Sequence, residues 1–497
     1  MYTKDNKSSV TVVGIDEKLT ACLHTNIKRL QQVFGNNPYL ITRSFMLCGE
    51  ISTVLIYLDG LADRTTIQEF ILQDNLHKND SLPASHTAEF ISFVQKRIVT
   101  VGNTNKTSNL QEIVNALFTG NTILFFENQH VACITSTKGG VERSITEPTS
   151  QNVVRGPRDG FTESLQTNVS LILRRIKTPH LHVKKIIIGT DTHTEVGVLY
   201  HNQKVDFKIV NDIFQRLHDV QVNGILESSQ VEPFLLDPGY SPFPTVYYTE
   251  RPDIIAAGIL EGRVAIIIDG SPFVLLVPSL LQHFLHANED AYQSIYFSIF
   301  IRLLRYFSFF CSMLLPGTFI AITCFHQELI PLPLFVNLVH QRYGAPFPPM
   351  IEMLLMEITF ELLREAGLRL PRAVGNTISI VGALVIGESA VQAGIVSPAT
   401  IIIVAGTAIM SFILPVYSMS FITRLLRFGF LFLAGLTGIY GLVLGIFILL
   451  AHLCSVRSFG QIYFGDPAVS GGIIRSFSPA IKEKKRLQYI WNKIRKR

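Results

Sequence analysis

Between Ile378 and Leu453 the chain holds three closely spaced apolar stretches, Ile378 to Val396, Thr400 to Met419 and Phe428 to Leu453, and the first of them contains one lone acid, Glu388. Stretches of this length and spacing are membrane spans, which restricts the chain around them to helices whose backbone groups are satisfied internally. An acid in the middle of a span costs about 2.5–3.5 kcal/mol on insertion scales, so it marks a polar path or a partnered site. Transport or gating therefore ranks above soluble catalysis.

With 497 residues and 48% hydrophobic content, the chain is too long for one domain and too uneven for one environment. Residues 1 to about 250 carry Lys, Asp, Glu, Asn and Thr at globular density, whereas no Lys occurs between Lys208 and Lys482. Charge in the second half is mostly Arg and Glu, a bias that suits partly buried pairing. The polar N-terminus lacks the apolar stretch of a secretory signal, which keeps the first region cytoplasmic. Six scattered cysteines without a Cys-x-x-Cys pair indicate neither a disulfide framework nor a zinc site. The net charge of +5 sits largely in the tail between Lys482 and Arg497, which reads as an anchor facing anionic lipid rather than a nucleic-acid surface.

The pattern predicts an α/β cytoplasmic region of two lobes followed by an α-helical polytopic membrane domain. Lobe 1 covers 1–140, with strands at Thr53–Leu58 and Thr122–Phe126 and a helix at Gln111–Phe118; lobe 2 covers 141–250. In lobe 2 a helix carries Leu165, Val169, Ile172 and Ile176 on one stripe, with Thr162 placed to cap it. Strands follow at Val183–Ile188 and Glu195–Tyr200, then a helix at Ile209–Leu217. A connector and pre-membrane segment takes 251–300, where Arg263–Asp269 is strand-like and the nine-residue Phe273–Leu281 is expected at the membrane interface or against the membrane domain. The membrane domain takes 301–456 and a basic cytoplasmic tail 457–497.

Within the membrane domain the first span runs from about Tyr306 to Phe325 behind Arg302 and Arg305, and is expected to break at Pro316-Gly317. Helix 350–367 carries Glu352, Glu357, Glu361, Arg364 and Glu365 among Leu and Met, which excludes a plain lipid-facing helix and makes it interfacial, re-entrant or buried. Four spans with both termini inside are favoured over five. No internal repeat stands out, which counts against a secondary transporter.

The usual phosphate-loop, nucleophile-elbow and zinc-helix motifs are absent, so no catalytic residue, cofactor or metal is assigned and the chain is not read as an enzyme. His283, His286, Glu289 and Asp290 are the best metal candidates, but nothing fixes their spacing to a known ligand set. Glu357 and Glu361 share a face with Arg364 and Glu365, and need partners if buried; a subunit interface would supply them. Small residues Ala434, Gly438, Gly441 and Gly445 let a neighbouring helix approach the last span closely.

Several ordered blocks resemble the GerA family of spore germination proteins. They are Thr146-Glu147-Pro148 with Val154-Arg155-Gly156-Pro157, Ser241-Pro242-Phe243-Pro244 through Glu250-Arg251-Pro252, Gly262-Arg263-Val264-Ala265 with Ser271-Pro272-Phe273, Pro346-Phe347-Pro348-Pro349, Glu361 through Pro371, and Ser458-Phe459-Gly460. The resemblance implies a germinant-receptor A subunit, or its relative encoded with the dipicolinic-acid release proteins, in the spore inner membrane. It further implies a pentameric ring working as a nutrient-gated ion channel beside a transporter-like B subunit and a lipoprotein C subunit. In such a ring the stripe Ile380, Leu384, Glu388, Val391 and Ile395 would face the axis, with Leu384 as a hydrophobic constriction and Glu388 favouring cations. Glu388 stands where the family more often carries Gln. Two alternatives remain: an acid satisfied between helices, and a membrane-anchored sensor whose N-terminal lobes bind the germinant.

Overall fold

A computed structural model describes residues 18–47, 51–69, 104–139, 155–343, 345–369 and 387–465. They fall into two compact units that divide at 236/237, 245/246 and 278/279. The first unit holds two lobes, each an antiparallel five-stranded sheet with helices.

Lobe 1 comprises α1 (Leu23–Val33), β1 (Leu40–Leu47), β2 (Ile51–Leu58), β3 (Thr104–Thr107), α2 (Leu110–Phe118), β4 (Thr122–Phe126) and β5 (Ala132–Thr135), in sheet order β1-β2-β4-β5-β3. Lobe 2 comprises α3 (Leu165–Arg175), β6 (Leu181–Ile188), β7 (Thr194–His201), α4 (Phe207–His218), β8 (Tyr247–Thr249), α5 (Pro252–Leu260), β9 (Val264–Ile268) and β10 (Val274–Val277), in order β6-β7-β9-β10-β8. Lobe 2 thus reaches beyond the expected boundary at 250. Phe273–Leu281, expected at the membrane interface or against the membrane domain, supplies β10, an interior strand buried along its whole length. A short, continuously apolar run has no periodicity to separate a doubly covered strand from a helix.

The two lobes are one topology used twice, a repeat hidden in the sequence. In lobe 1 Thr53 pairs with Phe126, Leu124 with Cys133 and Thr107 with Ala132. In lobe 2 Val196 pairs with Ile268, Ile266 with Leu275 and Thr249 with Val274, which is the same register. The first helix of each lobe is pinned by the same staple. Asn26 Nδ2 donates to Thr20 O (2.6 Å) and Thr20 N to Asn26 Oδ1 (3.0 Å). Asn168 Nδ2 donates to Thr162 O (2.5 Å) and Thr162 N to Asn168 Oδ1 (2.8 Å). Thr162 therefore holds a buried Asn, and Ser164 caps α3 in its place. α2 and its counterpart α5 each end on a glycine with positive φ, Gly120 at +84° and Gly262 at +95°, where a side chain would be strained and would strike the backbone of Leu61 or Lys204.

The lobes meet through unlike surfaces. Asp59, just after β2, accepts from Gln166 Nε2 of α3 (2.5 Å), and a Cβ on Gly60 would lie 2.8 Å from Ser170 Cβ. Arg174 donates to Gly139 O (3.3 Å), and Lys185 Nζ sits 5.1 Å from the centre of the Tyr39 ring.

In the second unit α6 (Ile295–Ile320) continues as a π-helical turn to Phe325, followed by α7 (Leu332–Gln341), α8 (Pro349–Arg369), α9 (Pro398–Phe412), α10 (Tyr417–Thr437) and α11 (Ile439–Ser455). Among the described residues two helical segments are long and apolar enough to cross a membrane, Ile295–Phe325 with 31 residues and Tyr417–Thr437 with 21. The helix starts before Arg302 and runs on through Pro316, where a break was expected. The stretch Thr400–Met419 is interrupted after Phe412, ahead of Pro415. Phe428–Leu453, expected as one span, is two helices, because Gly438 takes φ +66°, ψ −137° and reverses the chain.

One carboxylate in lobe 2 carries a pH signature. Glu227 is drawn up by burial, but donation from Ser228 Oγ (2.6 Å), Ser229 N (2.6 Å) and Ser271 Oγ (2.8 Å) outweighs this and pulls it down to about 2. Its contribution is complete above the ordinary carboxylate value of about 4.3 and is lost as pH falls through about 2. Glu227→Gln should lower stability at pH 7 by about 1 kcal/mol, the size of a lost cap. The gap in melting temperature from the parent should narrow between pH 5 and pH 2; a gap constant over that range would assign the loss to shape alone.

Candidate functional site

Pro316 has no N–H to offer, so inside α6 it leaves the carbonyl of Ser312, four residues back, without its helical donor. Arg427 of α10 fills that position: its Nε donates to Ser312 O at 2.8 Å while its Nη1 donates to Glu357 Oε2 of α8 at 2.6 Å. Arg427 is 1% and Glu357 0% exposed. Thr407 Oγ1 of α9 lies 3.4 Å from the other oxygen of Glu357, so four helices converge on one ion pair. The continuity of α6 through its proline thus depends on a distant arginine.

One turn further along α8, Glu361 Oε2 accepts from Arg424 Nη1 at 2.6 Å. Residues four apart on α8 meet residues three apart on α10 in reverse order, an antiparallel charge zipper. Arg424 also lies over Phe421 (5.4 Å) and Tyr417 (5.9 Å), and Arg364 over Phe412 (5.0 Å) and Tyr417 (5.9 Å). At the other end of α8, Glu352 Oε1 accepts from Ser397 N and so caps α9. Arg364 Nη1, Arg424 Nη2, Arg427 Nη2 and Glu361 Oε1 are buried without a hydrogen-bond partner among the described residues. Ser308, Ser312, Thr407, Ser411, Ser420 and Thr423 continue this buried polar seam. Ser420 Oγ bonds Ser411 O across the α9–α10 turn (2.8 Å).

The residues singled out in the sequence are distributed unevenly over this site. Glu357 and Glu361 are buried or half-buried as expected, but Arg427 and Arg424 of the same chain supply the partners sought in a neighbouring subunit. Glu365 pairs with Arg369 on an exposed face (2.8 Å). The glycines work inside the chain as well. Gly438 turns it, a Cβ on Gly441 would lie 2.2 Å from Leu433 O, and one on Gly445 2.7 Å from the Phe430 ring, so α11 packs back on α10 as a hairpin. Glu388 is exposed in the single chain and accepts from Gln392 Nε2 at 3.1 Å; Val391 is half-buried nearby. Ile380 and Leu384 lie outside the described residues.

The metal candidates are also dispersed. Asp290 is paired with Arg302 (3.2 Å) and Arg305 (2.6 Å), and His283 Nδ1 accepts from Leu280 N. Burial, reinforced by Arg302, pushes His286 down to about 4, so it is neutral beside the Tyr306 hydroxyl (3.3 Å). No group of three or more His, Cys, Asp or Glu able to hold a metal occurs among the described residues. Sequence reasoning found the acids of α8 but missed Arg424 and Arg427. The available signal was two arginines three apart opposite two glutamates four apart, in a stretch otherwise apolar.

The Bacillus/Clostridium GerA spore germination protein family matches residues 28–471. Among relatives, spore germination protein KA of Bacillus subtilis is 44% identical over 453 residues, covering 90% of this chain and 82% of that protein. The uncharacterized membrane protein YfkQ of the same organism is 38% identical over 90% of this chain and 86% of its own. The crystallised N-terminal domain of the A subunit of the Bacillus megaterium spore germinant receptor GerK3 is 30% identical and covers 54% of this chain and 98% of that one, with a TM-score of 0.44.

Removing one partner of the buried pair should be costly. Arg427→Leu should destabilise the detergent-solubilised chain by about 3–5 kcal/mol. Adding Glu357→Leu should restore part of this, leaving about 1–3 kcal/mol for the unpaired Ser312 carbonyl. Adding Pro316→Ala, which returns a donor to that carbonyl, should remove the remainder. Thermal unfolding measures all three, and a double variant no more stable than the single one would show that the ion pair is not what Arg427 supplies.

Proposed function

This chain belongs to the GerA family of spore germination proteins, and from that membership we propose that it is a germinant-receptor A subunit that assembles into a ring in the spore inner membrane and forms an ion path. Family membership makes it a germination protein rather than an enzyme. The family pattern brings a transporter-like B subunit and a lipoprotein C subunit as partners.

The observation that carries a membrane setting is the inverted character of the helical unit. The Arg427–Glu357 pair is buried and the Arg424–Glu361 pair largely so, while Phe300, Phe307, Phe310, Leu425, Phe432 and Phe447 are exposed. Water penalises such a surface and hydrocarbon does not. Within that unit Glu388 is an exposed carboxylate with only a neutral partner among the described residues. Facing lipid it would be costly; facing a water-filled ring axis it would be solvated and would attract cations. The stripe Ile380, Leu384, Glu388 and Val391 then lines the path, with Leu384 as a constriction that closes by dewetting. The helical unit is in this reading multi-pass, with the N-terminal lobes and the tail in the cytoplasm.

The test combines assembly and flux. The purified chain should give a ring of about five copies by mass photometry, in line with closed cyclic assembly. Spores carrying Leu384→Ala should germinate without nutrient, and Glu388→Gln should lower cation preference in planar bilayers at least several-fold. A monomer, or normal dormancy together with unchanged selectivity, would remove this helix from the ion path.

A further inference from the structure

Because the two lobes share one topology and touch through unlike surfaces, each carries a second, unused copy of the surface its neighbour employs. Within the chain, Asp59-Gly60 at the end of β2 in lobe 1 grips Gln166 and Ser170 on the outer face of α3 in lobe 2. By the shared register, the turn equivalent to Asp59-Gly60 in lobe 2 is Asn202-Gln203. Both turns are fixed by the same bond, Asp59 N to Tyr39 O and Asn202 N to His180 O, each 2.8 Å. The face of α1 equivalent to Gln166 and Ser170 is His24 and Lys28. Ser170 is buried under lobe 1 and Gln166 half-buried, whereas His24, Lys28 and Gln203 are exposed and Asn202 is half-buried.

We infer that lobe 2 of one copy grips α1 of the next copy through Asn202-Gln203 against His24 and Lys28, repeating between chains the contact that lobe 1 makes with α3 within a chain. A contact between two different patches is head-to-tail, and it propagates until the rotation closes a ring. The substitutions suit an interface between separately folded chains. Asn202 keeps an acceptor where Asp59 has one, and a His24 ring N–H can serve as the donor in place of the Gln166 amide. Lys28 replaces a small serine, and Gln203 replaces a glycine, so the face stays polar and soluble before assembly. The inference rests on the ring proposed above and assigns a surface to it.

Paired cysteines test it directly: the 2.8 Å at which a Cβ on Gly60 would meet Ser170 Cβ must open by about 1 Å to seat the side chains of Gln203 and Lys28, which brings that pair into the Cβ–Cβ range of a disulfide. In the full chain, with the exposed Cys22 and Cys454 changed to Ser, Lys28→Cys with Gln203→Cys should give on mild oxidation a non-reducing ladder whose top rung equals the ring stoichiometry by mass photometry. Either cysteine alone should give no rung above the dimer. His24→Cys with Asn202→Cys is a second pair with the same expectation. A ring by mass photometry with neither pair forming a ladder would overturn this interface and leave the ring standing. A monomer would overturn both.

Discussion

Arg427 connects three problems that a helical unit rich in proline and glutamate creates for itself. Pro316 strips one carbonyl of α6 of its donor, Glu357 brings a carboxylate into a dry interior, and α9 and α10 must be held against both. One guanidinium answers the carbonyl and the carboxylate at once, through Nε to Ser312 O and Nη1 to Glu357 Oε2. A lysine could not do the same, since a single ammonium lacks the fixed fork that reaches two acceptors on different helices. The absence of lysine from residue 209 to 481 thus has a structural counterpart at this position.

Buried pairs of this kind are weak contributors to stability but strict about arrangement. Here the strictness is doubled, since Arg424 meets Glu361 one turn further on, so that α8 and α10 cannot slide by a turn without breaking both bonds. Several donors and one acceptor of the cluster remain unpaired among the described residues. A seam of this composition can hold water or reorganise, and it adjoins the segment in which Glu388 faces outward.

Much of the first unit was legible in the sequence because its helices alternate faces strictly. Leu165, Val169, Ile172 and Ile176 mark α3, and Ile209–Leu217 marks α4, each within two residues of the observed ends. β10 escaped because four consecutive apolar residues have no period. The repeat escaped because the lobes share few side chains, such as Thr20 with Thr162, Leu23 with Leu165, Asn26 with Asn168 and Gly120 with Gly262. In the helical unit the acids of α8 were identified by their incongruity, but which residues face them depends on long-range packing. Pro316 and Gly438 show the same limit in opposite directions. A proline read as a break is bridged by Arg427, and a glycine read as packing material is the turn itself.

Two lobes of one register make the chain its own alignment. Positions alike in both, the Thr–Asn staple and the glycine that ends α2 and α5, are those where the backbone admits few alternatives whatever surrounds it. Positions that have diverged, Asp59 from Asn202 and Ser170 from Lys28, record instead what each lobe came to sit beside. A comparison normally needing many relatives can thus be made here between two lobes of a single chain, at one temperature and in one solvent.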